Sequence, residues 1–440
     1  MRDQEFRITW EWERAPDVRI PEHRATWARI EIWVGSDSVT LVEDRESGSS
    51  RRSIYCPLYP LAEWVAYNWW FLQTDARPAR GLSQYEGFLG LTPQLRERHS
   101  IRSSGDGFTW PNMVIVPDGD RTHLVWQADP SPRADWPVRF LASGDRWVSS
   151  ADVQRELSAV VSAVLTRLAE QSVGPTVLRK EWDVIGNADQ DEISFCLAAA
   201  RLGLDPYSDA ERYGDAIIQA SRSLSDDLLA DFLDAVDPDR IETALAWVSA
   251  ARSRILRPPA VLVEDGEAFR RLRSEAHQGA TFPRGLPWQL GWAQARFVRE
   301  NQHSNFLRPF EIEKYIGSDI DPVGDPDLQA IGGRTGRRPL AILGQQRPAS
   351  SKRFTLSRAL WHCIWDDSPV FSVTSAHTYR QSIERAFAAE LLAPADGVSN
   401  LLESAPEAAS DEEFEQIAEH FGVSPMVIGY QVRNQLVSHA

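Results

Sequence analysis

Lysine, cysteine and methionine are scarce in this 440-residue chain, with three of each, and nearly all of its 47 basic side chains are arginine. Cys56, Cys196 and Cys363 are far apart and form no C-x-x-C pair, which excludes a disulfide framework and a cysteine-rich zinc site and fits a reducing cytoplasm. No run of about 18 apolar residues occurs, so no membrane span is expected. The opening MRDQEFRITW has no basic stretch followed by an apolar one, so no secretory signal is expected either. Positive charge is in deficit: the net charge of −16 argues against a general grip on nucleic acid, whose phosphates need clustered Lys and Arg. The short basic runs RRSIY and GGRTGRRP read as solvated loops.

What remains is a globular composition, 42% hydrophobic and 25% charged, on a chain long enough for two or three domains. The pattern suggests an α+β protein with an N-terminal domain over 1–147, a helical connector or bundle over 148–260, and a C-terminal domain over 265–440. In the first part, FRITWEWE and ARIEIWV alternate with period two. They place Phe6, Ile8, Trp10 and Trp12, then Ala28, Ile30, Ile32 and Val34, on single strand faces. The stretch to Cys56 reads as hairpin strands. PLYPLAEWVAYNWWFLQ reads as a helix burying Leu61, Trp64, Val65, Trp69 and Leu72. MVIVP, THLVWQA and VRFLA read as further strands. The many tryptophans admit an aromatic-cage or base-stacking role, or simply a core of large rings.

The connector reads as four helices, SSADVQRELSAVVSAVLTRLAEQ, DQDEISFCLAAARLGLDPY, SLSDDLLADFLDAV and DPDRIETALAWVSAARSRIL, with RPP at 257–259 as a linker. Beyond it, PWQLGWAQARFVRENQ is an amphipathic helix. PFEIEKYIGSDI, DLQAIGG and PLAILGQQ give a short helix and small strands, and FTLSRALWHCIW gives a helix. DDSPVFSVTSA is a loop, followed by TYRQSIERAFAAELLAP and DEEFEQIAEHFGVSPMVIGYQVRNQLV as further helices.

The C-terminal order carries three ordered motifs: Arg353-Phe354-Thr355-Leu356, then Phe387-Ala388-Ala389-Glu390-Leu391-Leu392-Ala393-Pro394, then Phe421-Gly422-Val423-Ser424. It resembles the ImmA/IrrE family of metallopeptidase-like proteins over about 150 to 175 residues. The resemblance implies a zincin-like domain with an H-E-x-x-H helix and a third, acidic zinc ligand on the helix before F-A-A-E-L-L. In this frame Arg358 and His362 stand where the two histidines belong, Ala359 where the glutamate base belongs, and Gln381 where the acidic ligand belongs.

Positions 358 and 362 share a helix face. Arg358 offers no lone pair to a metal, and Ala359 cannot take a proton from a metal-bound water. No catalytic residue and no cofactor are therefore expected. Zinc is kept as an alternative on a displaced set of His362, His377 and Glu384, since three protein ligands are needed. Cys363 points about 100° from His362 and does not join such a set. Arg358 either pairs internally with Glu384 or Glu390, or receives the carboxylate of a partner. The terminal helix pair resembles a helix-turn-helix, with Gln431, Arg433, Asn434 and Gln435 as the candidate base readers, but packing is the better account of it.

The expected function is that of a catalytically inactive, cytoplasmic member that binds a repressor-type regulatory protein in a stress, mobile-element or defence response. One alternative is a zinc metalloendopeptidase with noncanonical ligands that cleaves such a regulator. Another is a ligand sensor acting through the N-terminal domain.

Overall fold

The computed structural model describes residues 5–75, 92–130, 136–209, 212–257, 266–278, 281–282, 286–302, 304–321, 323–325, 327–334, 339–344 and 348–437. The chain is α+β and divides into two compact units, Met1–Arg212 and Tyr213–Ala440. The helices of 148–260 are shared between them. Those up to Gln190–Arg201 belong to the first unit, and those from Gly214–Ser223 onward belong to the second. Pro258 and Pro259 of the expected linker lie outside the described residues.

In the first unit, strand β1 (Phe6–Trp12) pairs antiparallel with β2 (Trp27–Val34), which also pairs with β3 (Asp37–Ser38) and β6 (Ile54–Pro57). The period-two reading holds: Phe6, Ile8, Ala28, Ile30, Ile32 and Val34 are buried on one face. Between them, β4 (Val42–Asp44) and β5 (Ser50–Arg51) form a hairpin, and β4 also pairs with β9 (Val138–Phe140). A third sheet has the order β10 (Gly144–Ser149), β8 (Arg121–Gln127), β7 (Asn112–Asp118). Helix Ser150–Glu170 closes this core with Val153, Leu157, Val160, Val161, Val164, Leu165 and Leu168, an apolar stripe at helical spacing. Trp110 and Trp126 are fully buried, so these rings are core. The helix expected over the W-rich stretch breaks into Tyr59–Tyr67 and Phe71–Thr74, with Trp69 half-buried edge-on against Trp182.

The second unit holds a four-stranded sheet in the order β11 (Gly317–Ile320), β13 (Leu340–Leu343), β12 (Leu328–Gly333), β14 (Val370–Thr374). β11 runs parallel to β13, and the other pairs are antiparallel. β14 lies in the segment expected to be a loop. All five of its residues are buried, so it shows no alternation, and Asp, Ser and Pro before it mimic a turn.

The motif helix is Ala349–Trp365, buried from Thr355 through Ile364 on every side, as a helix at the centre of a domain must be. Its neighbour Tyr379–Leu392 packs on one side of it and against helix Pro287–Asn301 on another. At that second contact Gly291 lets the backbones approach: a Cβ there would lie 2.3 Å from the Ile383 carbonyl oxygen. Helices Asp411–Phe421 and Pro425–Gln431 follow, joined through Gly422 in the left-handed conformation at φ 67°. The first opens with a capping box between Ser410 and Glu413.

Replacing Gly291 with Ala forces these two helices apart. It is expected to destabilise the second unit by about 1–3 kcal/mol, measured as a lower urea midpoint, while Gly174→Ala, whose Cβ meets nothing within 4 Å, leaves the midpoint nearly unchanged.

Candidate functional site

The frame positions of the motif meet in the interior of the second unit. Arg358 is 2% exposed and ranks among the largest fully buried side chains of the protein. A guanidinium survives there only if its N–H groups are satisfied and its charge is matched. Its Nε donates to Glu384 Oε1 at 2.9 Å, Nη1 to Gln329 Oε1 at 2.8 Å, and Nη2 to the Thr374 carbonyl at 2.7 Å. Nη2 also contacts the same Glu384 oxygen.

Local structure aims each partner. Glu384 sits on the neighbouring helix, where Thr378 caps the N-terminus by accepting from the Gln381 N–H. Gln329 falls at the register shift of β12 against β14, between the pairs made by Leu328 and Ala330. Such a bulge turns a side chain out of the strand alternation. Thr374 ends β14, the strand that the sequence reading missed.

The other oxygen of Glu384 contacts His362 Nε2. His362 Nδ1 lies 3.2 Å from Asp366 Oδ2, and the ring stacks on Phe371 with centroids 4.7 Å apart. Both ring nitrogens therefore face carboxylate oxygens, which only accept hydrogen bonds when ionised, so the ring is the doubly protonated imidazolium. Burial opposes that charge, but Glu384 and the hydrogen bond to Asp366 outweigh it and raise the pKa above the usual imidazole value. Burial likewise opposes ionisation of Glu384, yet Arg358 and His362 bring it down to about 2. Asp366 is also held below the carboxylate range: burial works against this, and His362 and Arg380 overcome it.

The chain of charges continues. Arg380 lies 3.3 Å from Asp366 and 2.5 Å from Asp231, which accepts from Ser372 Oγ at 3.1 Å. Burial pushes Asp231 up from its ordinary value despite Arg380. The result is an alternating row, Arg358, Glu384, His362, Asp366, Arg380 and Asp231, in which three cations balance three anions.

Arg358, His362 and Glu384 come together, and of the two internal partners considered for Arg358 the structure shows Glu384. Glu390 instead pairs with Arg296 at 2.8 Å and accepts from Gln431 and Gln435. Gln431 and Gln435 are thus buried and turned inward, unavailable as base readers, while Arg433 and Asn434 are exposed. Ala359 is fully buried in the core and Cys363 beside it is a buried free thiol. Gln381 donates to Thr374 Oγ1 at 2.6 Å, while its Oε1 is buried with no hydrogen-bond partner.

His377 is not brought to the others. The helix begins only at Tyr379, and His377 is exposed ahead of it, 3.5 Å from Arg385. Among the described residues no group of three or more His, Cys, Asp and Glu side chains is arranged to hold a metal ion. His362 and Glu384 together supply two donor groups, and a guanidinium already occupies the second. The orphaned Gln381 Oε1 is a weak neutral third. This donor set does not fit a tetrahedral zinc site.

Asp366 stands four residues after His362, a spacing visible in the sequence. Asp231 and Gln329 had no such signal, being far away along the chain. No family model, curated protein or solved structure matches this chain.

Removing Arg358 leaves Glu384 short of its main cation. Arg358→Met is expected to cost about 3–5 kcal/mol in urea unfolding. The pair Arg358→Met with Glu384→Leu is expected to cost less than the sum of the two single changes, because the stranded charge is gone.

The signs also fix a pH profile. Glu384 falls from 4.5 to about 2 on folding, so its contribution is whole above pH 4.5 and is lost as pH drops toward about 2. His362 rises above 6.5, so its contribution is whole below pH 6.5 and is lost as pH climbs through the raised value. Urea midpoints of the full chain are expected to be highest between these limits, and His362→Asn is expected to flatten the alkaline side.

Proposed function

We propose that the second unit is an ImmA/IrrE-like, zincin-derived domain in which an arginine has replaced the metal, and that the protein works in the cytoplasm by binding a repressor-type regulatory protein without cutting it. The observation that supports this most directly is Arg358. It stands at the first ligand position of the H-E-x-x-H frame and uses its charge to hold Glu384 and, through it, His362. A hydrolytic site would need lone pairs and a base at positions that here carry a guanidinium and a buried methyl group.

Two further features agree with a binding role. Of the candidate base readers at the C-terminus, Gln431 and Gln435 are spent on Glu390, which favours packing over DNA reading. No helix among the described residues is long and apolar enough to cross a membrane, which suits a partner met in solution.

The test is metal content together with partner integrity. Full-length protein incubated with zinc and desalted is expected to retain a substoichiometric amount, unchanged in His362→Ala. A regulator that co-purifies with the tagged protein from its native cells is expected at full length. Stoichiometric zinc lost on His362→Ala, or a regulator cut in the presence of wild-type protein but not of that variant, would favour the noncanonical peptidase instead.

A further inference from the structure

A second feature of the same unit has no part in the network above. Helix Glu267–His277 buries Phe269, Leu272 and Ala276 and turns Arg270, Arg273, Ser274 and His277 to its other side, at spacings of three, four and seven. With Arg334, Pro339, Phe269 and Gln278 these residues line a cavity of about 400 Å³.

The wall is tied by hydrogen bonds to the motif helix and the loop after it. Arg334 donates to the Ser368 carbonyl at 3.0 Å and the Cys363 carbonyl at 3.4 Å. His277 Nε2 lies 2.8 Å from the Ile364 carbonyl, which can only accept, so this nitrogen carries the proton and Nδ1 remains for other use.

The positive charge around this cavity is poorly matched. Among the described residues, Arg270 bonds the Gly266 carbonyl, at 3.3 Å, and forms no ion pair. Arg273 reaches Asp367 at 3.4 Å, but that carboxylate is 95% exposed and the contact is worth little. Arg334 forms no ion pair among the described residues. Its pKa is lowered by burial and then by the like charge of Arg273. Among the described residues, three guanidiniums thus line one pocket, with the solvent-facing Asp367 and the Asp366 already held by His362 and Arg380 as the carboxylates acting on Arg334, in a protein whose net charge is −16. Neutral donors complete the lining: Gln278 Nε2 donates to Ser274 Oγ at 2.8 Å, which leaves the serine hydroxyl proton free to donate.

We propose that this cavity binds a small organic phosphate, with the phosphate group held by Arg273 and Arg334 and steadied by Arg270 and Ser274. A phosphate monoester carries close to two negative charges and offers three acceptor oxygens, which suits several guanidinium forks better than one carboxylate does. The volume exceeds what a bare ion needs and falls in the range of small-molecule sites. Phe269 and Pro339 supply an apolar wall for the organic body. The site does not depend on the peptidase-like reading and stands if that reading fails.

The experiment is calorimetric titration of the full chain at neutral pH with inorganic phosphate, ribose 5-phosphate and ribose. Saturable binding is expected with one phosphate per chain, tighter for ribose 5-phosphate and absent for ribose. Arg273→Gln and Arg270→Gln are each expected to weaken it by about tenfold or more, with circular dichroism unchanged. Arg271→Gln, an exposed arginine on the same helix that pairs with Glu267, is expected to bind like wild type. Absence of saturable binding for both phosphates overturns the proposal. So does an equal loss in Arg271→Gln and Arg273→Gln, which would mean attraction to the helix surface at large.

Discussion

One buried carboxylate ties the second unit together. Glu384, itself without solvent exposure, accepts from a guanidinium on one oxygen and an imidazolium on the other, both from the motif helix. Neither cation is tolerable in that interior alone, and Glu384 is not tolerable without them. The helix register of 349–365 against 379–392 is therefore set by charge as well as by apolar packing. Arg358 extends the constraint to the sheet through Gln329 on β12 and the Thr374 carbonyl on β14.

The neighbouring helix repeats the device at its other end. Glu390 is also buried, and it binds Arg296 from helix Pro287–Asn301 and two glutamines from the C-terminal segment. Five residues of one helix thus separate two acidic anchors, each fastened to a different set of elements. Between them Gly291 brings Pro287–Asn301 close against Ala386 and the backbone of Phe387. The helix 379–392 serves as the common strut of the unit, and its acids choose which partners it meets.

Much of this could be read from the residues alone. Strong periodicity revealed β1 and β2 and the long helix 150–170, because one buried face repeats along each. An internal pairing of Arg358 with an acid of the next helix was also visible, but Glu384 and Glu390 stood as equal candidates, and only the three-dimensional packing separates them. What escaped was whatever depends on distance along the chain. β14 hid because a strand buried on both faces has no alternation. Asp231 and Gln329 gave no local sign that they would meet the site. His377 was misjudged because the start of its helix is set by the Thr378 cap, which leaves it one residue outside.

The alternating row from Arg358 to Asp231 also bears on which substitutions this interior accepts. Its members balance one another, so the loss of any one leaves an opposite charge short of its partner. A histidine at 358 would take from Glu384 the guanidinium it pairs with, an acid at 381 would add an unmatched anion, and a glutamate at 359 would enter a closed apolar core. Substitution here is therefore coupled, and only paired changes of charge keep the row neutral.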